Sequence, residues 1–501
     1  MNKQADKIFI VAFLLIASLL LHFKEINKFP DRYHAWAQAD RYALSVGFIK
    51  NGFDFFHPRT NIFNAPFPWS FEKPGTTAIT AVDFPIHDFI PALIMKVFRT
   101  RAPWCFHLYV LLYSLIGLFF LYLLSNEIFQ KKTWSVFVLL FAMTSPVFIR
   151  YQSGFLPTIP SLANLFIGLY FYTKYFKYNK IKDFFFTLFF ISLAALSRTP
   201  FSIFLIALLC VDILSFTKQK EIKTYKIYTY ISSAIIITTY FLYNNYLRNT
   251  YGSAFLNYPL PAQNFNEWKD LLKETCNTWG LIYFSIWHYI AGILILVIIL
   301  FLIVKKKNII INHLQKKLFQ FAIISFIGVF AYFTLMIKQF PVHDYYFLDT
   351  FYPLCILFFI LFLELILKFD RFKKLSFIAM CLFSVLLIYQ CFQTHAEEKN
   401  DPLDLTLLTK NDFHDSERFL DSLHIPQSAK FLNISVFSPN ISFNLMNREG
   451  FVILMSNTTK EHLESAIDWN YDYIVIQDRY LITNVIDIYP DIINVSCHLL
   501  N

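Results

Sequence analysis

Charge is what this chain has least of. Only 16% of its 501 residues are Asp, Glu, Lys or Arg, against about a quarter in an average soluble domain. The same chain is 56% hydrophobic and carries 60 Phe. That much apolar surface, spread over many separate runs, cannot be hidden in water-soluble cores. An ordinary soluble enzyme is excluded, and a polytopic membrane protein with a smaller soluble part is left. Cysteine is sparse as well: seven residues stand singly, none in a CxxC pair, so local spacing encodes neither a redox couple nor a zinc site. Cys105, Cys210, Cys355 and Cys381 lie in apolar runs and read as buried, inert thiols. Cys276 and Cys497 fall on the side read below as outer, where a disulfide between them is an open option. The sequence has no internal repeat and no low-complexity tract. No small-residue cleavage site follows the apolar stretch 7–23, which therefore reads as a retained first helix and not a removed signal.

The net charge is +9, but the basic residues form no single patch, so no nucleic-acid surface is implied. They cluster in short connections between apolar segments, which is the orientation signal of membrane proteins. Segments able to span fall at about 7–23, 105–124, 134–149, 160–176, 183–197, 199–217, 226–246, 282–304, 318–338, 349–368 and 374–394. Alternate connections carry Lys131-Lys132, Lys174 to Lys182, Lys218 to Lys226, Lys305 to Lys317, and Lys368 to Lys374. With Lys3 and Lys7 these define one side, the cytoplasmic one, and place the N-terminus there. The long 24–104 loop, the 247–281 loop and everything after about 395 then lie outside.

Residues 1–395 read as the membrane domain and 396–501 as a small extracytoplasmic α/β domain. The first outer loop is rich in aromatics and Pro, with Phe53-Asp54-Phe55-Phe56-His57-Pro58 followed by Ala65-Pro66-Phe67-Pro68-Trp69. Within it, Phe84 to Phe98 has apolar residues at helical spacing and is too short to span, so it reads as an interfacial helix. In the tail, Ala429–Val436, Gly450–Met455 and Tyr473–Ile476 read as strands. Thr459–Trp469 reads as a helix.

The residues that could carry chemistry gather on the outer side. His34-Ala35-Trp36-Ala37-Gln38-Ala39-Asp40-Arg41-Tyr42-Ala43 lies just beyond the first span, where polar groups are costly and usually kept for function. A carboxylate there, Asp40, has the character of a general base for an acceptor hydroxyl. Arg41 could contact a phosphate. An ordinary interfacial ion pair is the competing reading. Asp83-Phe84-Pro85-Ile86-His87-Asp88 opens the interfacial helix, and Asp83, His87 and Asp88 could hold a divalent cation or orient an acceptor. Simple capping by Asp83 is the alternative, and Glu72 competes for the same role. Arg150 and Arg198 sit at outer ends of spans. A phosphate leaving group would explain them through guanidinium geometry, and snorkelling would explain them equally. His343-Asp344-Tyr345-Tyr346, before the tenth span, could close over a sugar or form part of an aromatic belt.

Taken together, these motifs resemble the GT-C glycosyltransferases, in particular the bacterial group similar to protein O-mannosyltransferases and the lipid A aminoarabinose transferase. The resemblance rests on an early outer-loop acid, an acid-Phe-Pro leading an interfacial helix, and a late His-x-Tyr-Tyr. It covers about residues 1–395, and the tail's Ser438-Pro439-Asn440-Ile441-Ser442 and Met446 to Gly450 fit more loosely. It implies an inverting enzyme of a bacterial inner (plasma) membrane that uses a polyprenyl-phosphate sugar on the outer face, with a lipid, glycan or protein as acceptor. On this resemblance Asp40 and Asp83 are the catalytic acids, Arg41, Arg150 and Arg198 meet the donor phosphate, and His87, Asp88, His343, Asp344, Tyr345 and Tyr346 line the substrate. Two departures stand out. The acidic pair that aminoarabinose-type members show before Arg-Tyr-Ala is here Gln38-Ala39, with the acid at Asp40. The acid expected after Leu156-Pro157 is Thr158, which weakens the case for a metal. A lipid-linked saccharide flippase or polysaccharide transporter without bond chemistry is the alternative, and it would show a basic through-path and repeat symmetry between halves. Four triplets beginning at Asn433, Asn440, Asn457 and Asn494 fit the glycosylation pattern and carry no weight in an Asn-rich chain.

Overall fold

The computed structural model describes residues 3–30, 34–64, 73–219, 223–256, 258–305, 311–398, 405–457, 459–467 and 469–477. Glu72, the Pro-aromatic run 65–69, Cys497 and the triplet at Asn494 lie outside them. The chain is mostly helical. In chain order the first helices are Lys3–His22 (α1), Ala35–Lys50 (α2), Ile86–Val97 (α3), Trp104–Phe129 (α4), Lys132–Met143 (α5), Pro146–Gln152 (α6) and Thr158–Tyr178 (α7). Ile181–Ser197 (α8), Ser202–Gln219 (α9), Thr224–Tyr251 (α10), Phe265–Tyr283 (α11), Ile286–Val304 (α12) and His313–Leu335 (α13) follow. The remainder are Tyr346–Asp349 (α14), Phe351–Leu367 (α15), Asp370–Glu398 (α16), Leu405–Asp412 (α17), Ser416–Ser422 (α18), Pro439–Met446 (α19) and Lys460–Ile467 (α20). Three strands are found among the described residues: Lys430–Val436 (β1), Glu449–Leu454 (β2) and Tyr473–Ile476 (β3).

The chain divides into two compact units. The first comprises residues 1–26, 108–240 and 258–400, and the second residues 27–107, 241–257 and 401–501. The second unit therefore draws on three stretches of chain, and the tail shares it with the loop after α1.

In the first unit, every one of the eleven apolar segments is helical. Among the described residues, six helices have the length and composition to cross a membrane, and seven if α5 and α6 form one broken span. The other four segments (α7, α8, α10 and α15) are helices that are shorter or more polar. The segment read as one continuous span over 134–149 is corrected: it bends by 76° between α5 and α6. Pro146 lacks an N–H and its ring drives the preceding residue out of helical conformation. Ser145 is accordingly extended, with φ −61° and ψ 127°, and its hydroxyl donates to the Tyr283 carbonyl at 2.8 Å. Helices α4 and α7 approach closely through small residues. A Cβ placed on Gly117 would lie 2.5 Å from the Ala163 Cβ, and Tyr113 next to it donates to Asn164 Oδ1 at 2.8 Å. Close approach of backbones is how helices gain packing where lipid supplies no hydrophobic drive.

The second unit holds a three-stranded parallel sheet in the order β2-β1-β3. Strand side chains alternate between faces. Phe431 and Val452 join one core with Phe443 and Met446 of α19, while Leu432, Ile434 and Ile453 join the other with Leu463 and Ala466 of α20. A parallel sheet covered on both faces needs such continuous apolar strands, and these three strands were legible within one or two residues. The first outer loop adds to the β2 edge: Phe63 N–H donates to the Gly450 carbonyl at 2.7 Å, and Gly450 N–H to the Asn61 carbonyl at 3.1 Å. The interfacial helix expected at Phe84 to Phe98 is α3. Asn433 and Asn440 are fully buried, which rules them out as glycan acceptors in the folded chain.

Because a side chain on Gly117 would meet the Ala163 backbone and methyl, which have no flexible end to give way, Gly117→Leu is expected to cost about 1–3 kcal/mol of packing. A melting temperature in detergent several degrees below wild type would show it.

Candidate active site

Ala35, Ala37, Ala39, Ala43 and Leu44 give α2 high intrinsic helix propensity. The helix packs on α3 and α19, with Ser45 Oγ donating to the Asp88 carbonyl at 2.6 Å and Asn444 Nδ2 to the Ala39 carbonyl at 3.0 Å. This packing buries Asp40, which is 5% exposed. Asn440 Nδ2, from the first turn of α19, donates to Asp40 Oδ1 at 2.7 Å. Burial pushes the Asp40 carboxyl up to about 7, against the lowering pull of Asn440, Arg41 and the Trp36 side chain. A buried carboxyl released near neutrality is the state a general base requires.

Arg41, next in sequence, is held between two acids. Its Nη1 lies 3.2 Å from Asp88 Oδ2 and its Nη2 4.0 Å from Asp83 Oδ2, and the guanidinium carbon is 4.8 Å from the centre of the Phe255 ring. Asp88 is almost fully buried, and burial raises its carboxyl to about 6 although Arg41 opposes the shift. Its Oδ1 has no hydrogen-bond partner among the described residues, which suits a carboxyl that keeps its proton more readily than usual. Burial, with Arg41 adding to it, lowers His87 to about 3, so the imidazole is neutral. Asp83 is the open member of the group, about a quarter exposed. The second unit thus brings Asp40, Arg41, Asp83, His87 and Asp88 into one neighbourhood.

Among the described residues no group of three or more His, Cys, Asp or Glu is arranged to hold a metal ion. The residues named for a divalent cation do not fit one well: His87 and Asp88 are buried, and Asp88 is already bound to Arg41. Arg41, expected to meet a donor phosphate, is instead committed to Asp88 and Asp83.

The other candidates assemble in the first unit. Arg150 Nη1 donates to Asp344 Oδ2 at 2.9 Å, and Tyr151 OH to Asp344 Oδ1 at 2.5 Å. Both oxygens of a fully buried Asp344 are therefore engaged, so it orients Arg150 and Tyr151 and does not line an open site as expected. Arg198 Nε donates to Asp349 Oδ2 at 3.1 Å. The Arg198 guanidinium carbon lies 5.6 Å and 5.8 Å from the Tyr345 and Tyr346 ring centres. Those two rings stack at 5.2 Å, and the His343 ring meets both edgewise. All six residues expected here do come together.

Sequence reasoning missed Asp349 and Asn440. Asp349 stands alone in an apolar run, and an acid in such a place signals a buried partner. No local signal marks Asn440 as the partner of a residue 400 positions earlier.

Residues 81–243, about a third of the chain, match the family model described as dolichyl-phosphate-mannose-protein mannosyltransferase. The apo oligosaccharyltransferase of Archaeoglobus fulgidus superposes with a TM-score of 0.53 at 12% identity, over 91% of this chain and 65% of that one. The same enzyme tethered to an acceptor peptide containing an NVT sequon gives 0.51 at 13%, over 94% and 69%. The chain shares the fold of this archaeal enzyme over nine tenths of its own length. Apo ArnT from Cupriavidus metallidurans aligns over 91% of this chain and 87% of its own at 11% identity, with a TM-score of 0.47. The chain spans about two thirds of the length of the archaeal enzyme, and no curated protein sequence matches it.

Two expectations test these clusters. Ionising Asp40 costs the fold nothing below the ordinary carboxylate range, and the cost is complete above about 7, where the folded and unfolded states are both charged. Asp40→Asn is therefore expected to raise the melting temperature, and to raise it more at pH 8 than at pH 5. Asp349→Ala removes the buried carboxylate of Arg198 and is expected to cost about 3–5 kcal/mol. Arg198→Met combined with Asp349→Leu should recover most of that loss in the same thermal assay.

Proposed function

We propose that the protein is a membrane glycosyltransferase that moves a sugar from a polyprenyl-phosphate donor to a lipid, glycan or protein acceptor, with inversion at the anomeric carbon. The observation that carries this reading is Asp40: a buried carboxyl with an affinity for its proton raised to about 7, seated by Asn440 and flanked by Arg41. The fold and the family model over residues 81–243 support it. In this reading Asp40 takes the proton of the acceptor hydroxyl as its oxygen bonds to the sugar carbon. The bond from that carbon to the phosphate oxygen breaks on the opposite side, and polyprenyl phosphate leaves. Asp83, the more open acid, orients the acceptor. In the first unit, Arg150 and Arg198, each restrained by its own aspartate, are fixed guanidinium groups of the kind that suits a phosphate. Tyr345, Tyr346 and His343 form an aromatic group beside Arg198.

We also propose that the lysine-rich connections face the cytoplasm, as the general charge bias of membrane proteins favours, with the loop 24–104 and the tail on the outer side of a bacterial inner membrane.

The test is transfer of radiolabel from a polyprenyl-phosphate sugar in proteoliposomes. Asp40→Asn is expected to lower turnover at least ~100-fold, the usual scale of a lost general base, while donor binding by the purified variant stays within about twofold of wild type. Near-normal turnover would remove Asp40 from the role.

A further inference from the structure

The first unit contains a cavity lined by none of the residues of the arginine and tyrosine cluster. It has a volume of about 560 Å³ and lies where the C-terminal turns of α7 and α9 meet the N-terminal turns of α10 and α13. These are the helix ends that carry the lysine-rich connections. Lys223, Lys226 and Lys317 line it, with Asp212 as the single carboxylate among its described lining. Asp212 is fully used: Lys226 Nζ lies 2.6 Å from its Oδ1, and Tyr230 OH donates to its Oδ2 at 2.9 Å. Lys223 meets a neutral partner, donating to Asn179 Oδ1 at 2.8 Å. The opposite wall is aliphatic and open to the surroundings of the bundle: Leu209, Ile213 and Ile231 are 37%, 51% and 49% exposed.

We propose that this cavity binds an acidic phospholipid, with the phosphodiester against Lys223 and Lys226 and the acyl chains along Leu209, Ile213 and Ile231. A free phosphate would satisfy the ammonium groups but has no use for the aliphatic wall. A neutral lipid would satisfy the wall but not the lysines. Basic pockets between membrane helices at the cytoplasmic leaflet select anionic head groups on these grounds. The cavity rests on the membrane reading of the bundle and is independent of the transfer reaction.

The experiment uses the full-length protein in neutral detergent, incubated with phosphatidylglycerol, phosphatidylcholine or inorganic phosphate, and read by native mass spectrometry and melting temperature. Phosphatidylglycerol is expected to stay bound and to raise the melting temperature, while the other two do neither. Lys223→Glu with Lys226→Gln should lower phosphatidylglycerol occupancy at least tenfold, and Lys223→Arg with Lys226→Arg should retain it. Lys338→Gln, at the Glu267 ion pair, should match wild type. If the double variant fails to fold, Lys223→Gln on an exposed side chain reads the same loss at smaller amplitude. Equal binding of phosphatidylcholine, equal protection by inorganic phosphate, or undiminished occupancy in the lysine variants would overturn the proposal. None of these readouts depends on turnover, so an inactive protein that still holds the lipid would count against the transfer reading alone.

Discussion

The hydrogen bond from Asn440 to Asp40 joins α19 to α2, and the packing of α2 on α3 and α19 is what buries the carboxyl at its centre. A carboxylate cannot be buried without a partner that tolerates its charge. Here burial raises the proton affinity to about 7, and the neutral amide of Asn440, which favours the ionised form, offsets that only in part. Arg41 stands beside Asp40 in sequence, but its guanidinium hydrogen-bonds to Asp88. The amide and the guanidinium thus divide the labour: one holds the carboxyl in place, the other sets the field without quenching it.

The same economy governs the arginines. Arg41, Arg150 and Arg198 each pair with a buried aspartate, Asp88, Asp344 and Asp349 respectively. Isolated guanidinium groups would be costly at such depth, and buried ion pairs trade net stability for a fixed geometry. The tyrosines over Arg198 extend that logic, since a cation facing ring faces is restrained without being neutralised.

Most of the fold was legible in the sequence because it is written in local periodicity. Eleven apolar segments became helices, and the short apolar runs Phe431 to Val436 and Gly450 to Leu454 gave a sheet covered on both faces. The break at Ser145-Pro146 was also written there, in a residue pair that cannot continue a helix, but hydropathy alone reads across it. The long-range part was opaque. Asp40, Arg41, Asp83, Asp88, Arg150, Arg198 and the His343 to Tyr346 motif could be picked out as costly residues in apolar surroundings. Which of them pair could not, because ion pairs between residues 47, 194 and 151 positions apart leave no trace in spacing. The grouping of the tail with the first loop was hidden for the same reason: the bond of Gly450 to Asn61 is a backbone contact, and backbone contacts have no composition.

The seating of Asp40 by a side chain 400 residues downstream also has a consequence in time. A ribosome making this chain delivers Asp40 four hundred residues before Asn440, so over that stretch of synthesis the carboxyl lies on a nascent polypeptide in an unfinished pocket. A chain stalled between the two positions would carry Asp40 without the amide that seats it.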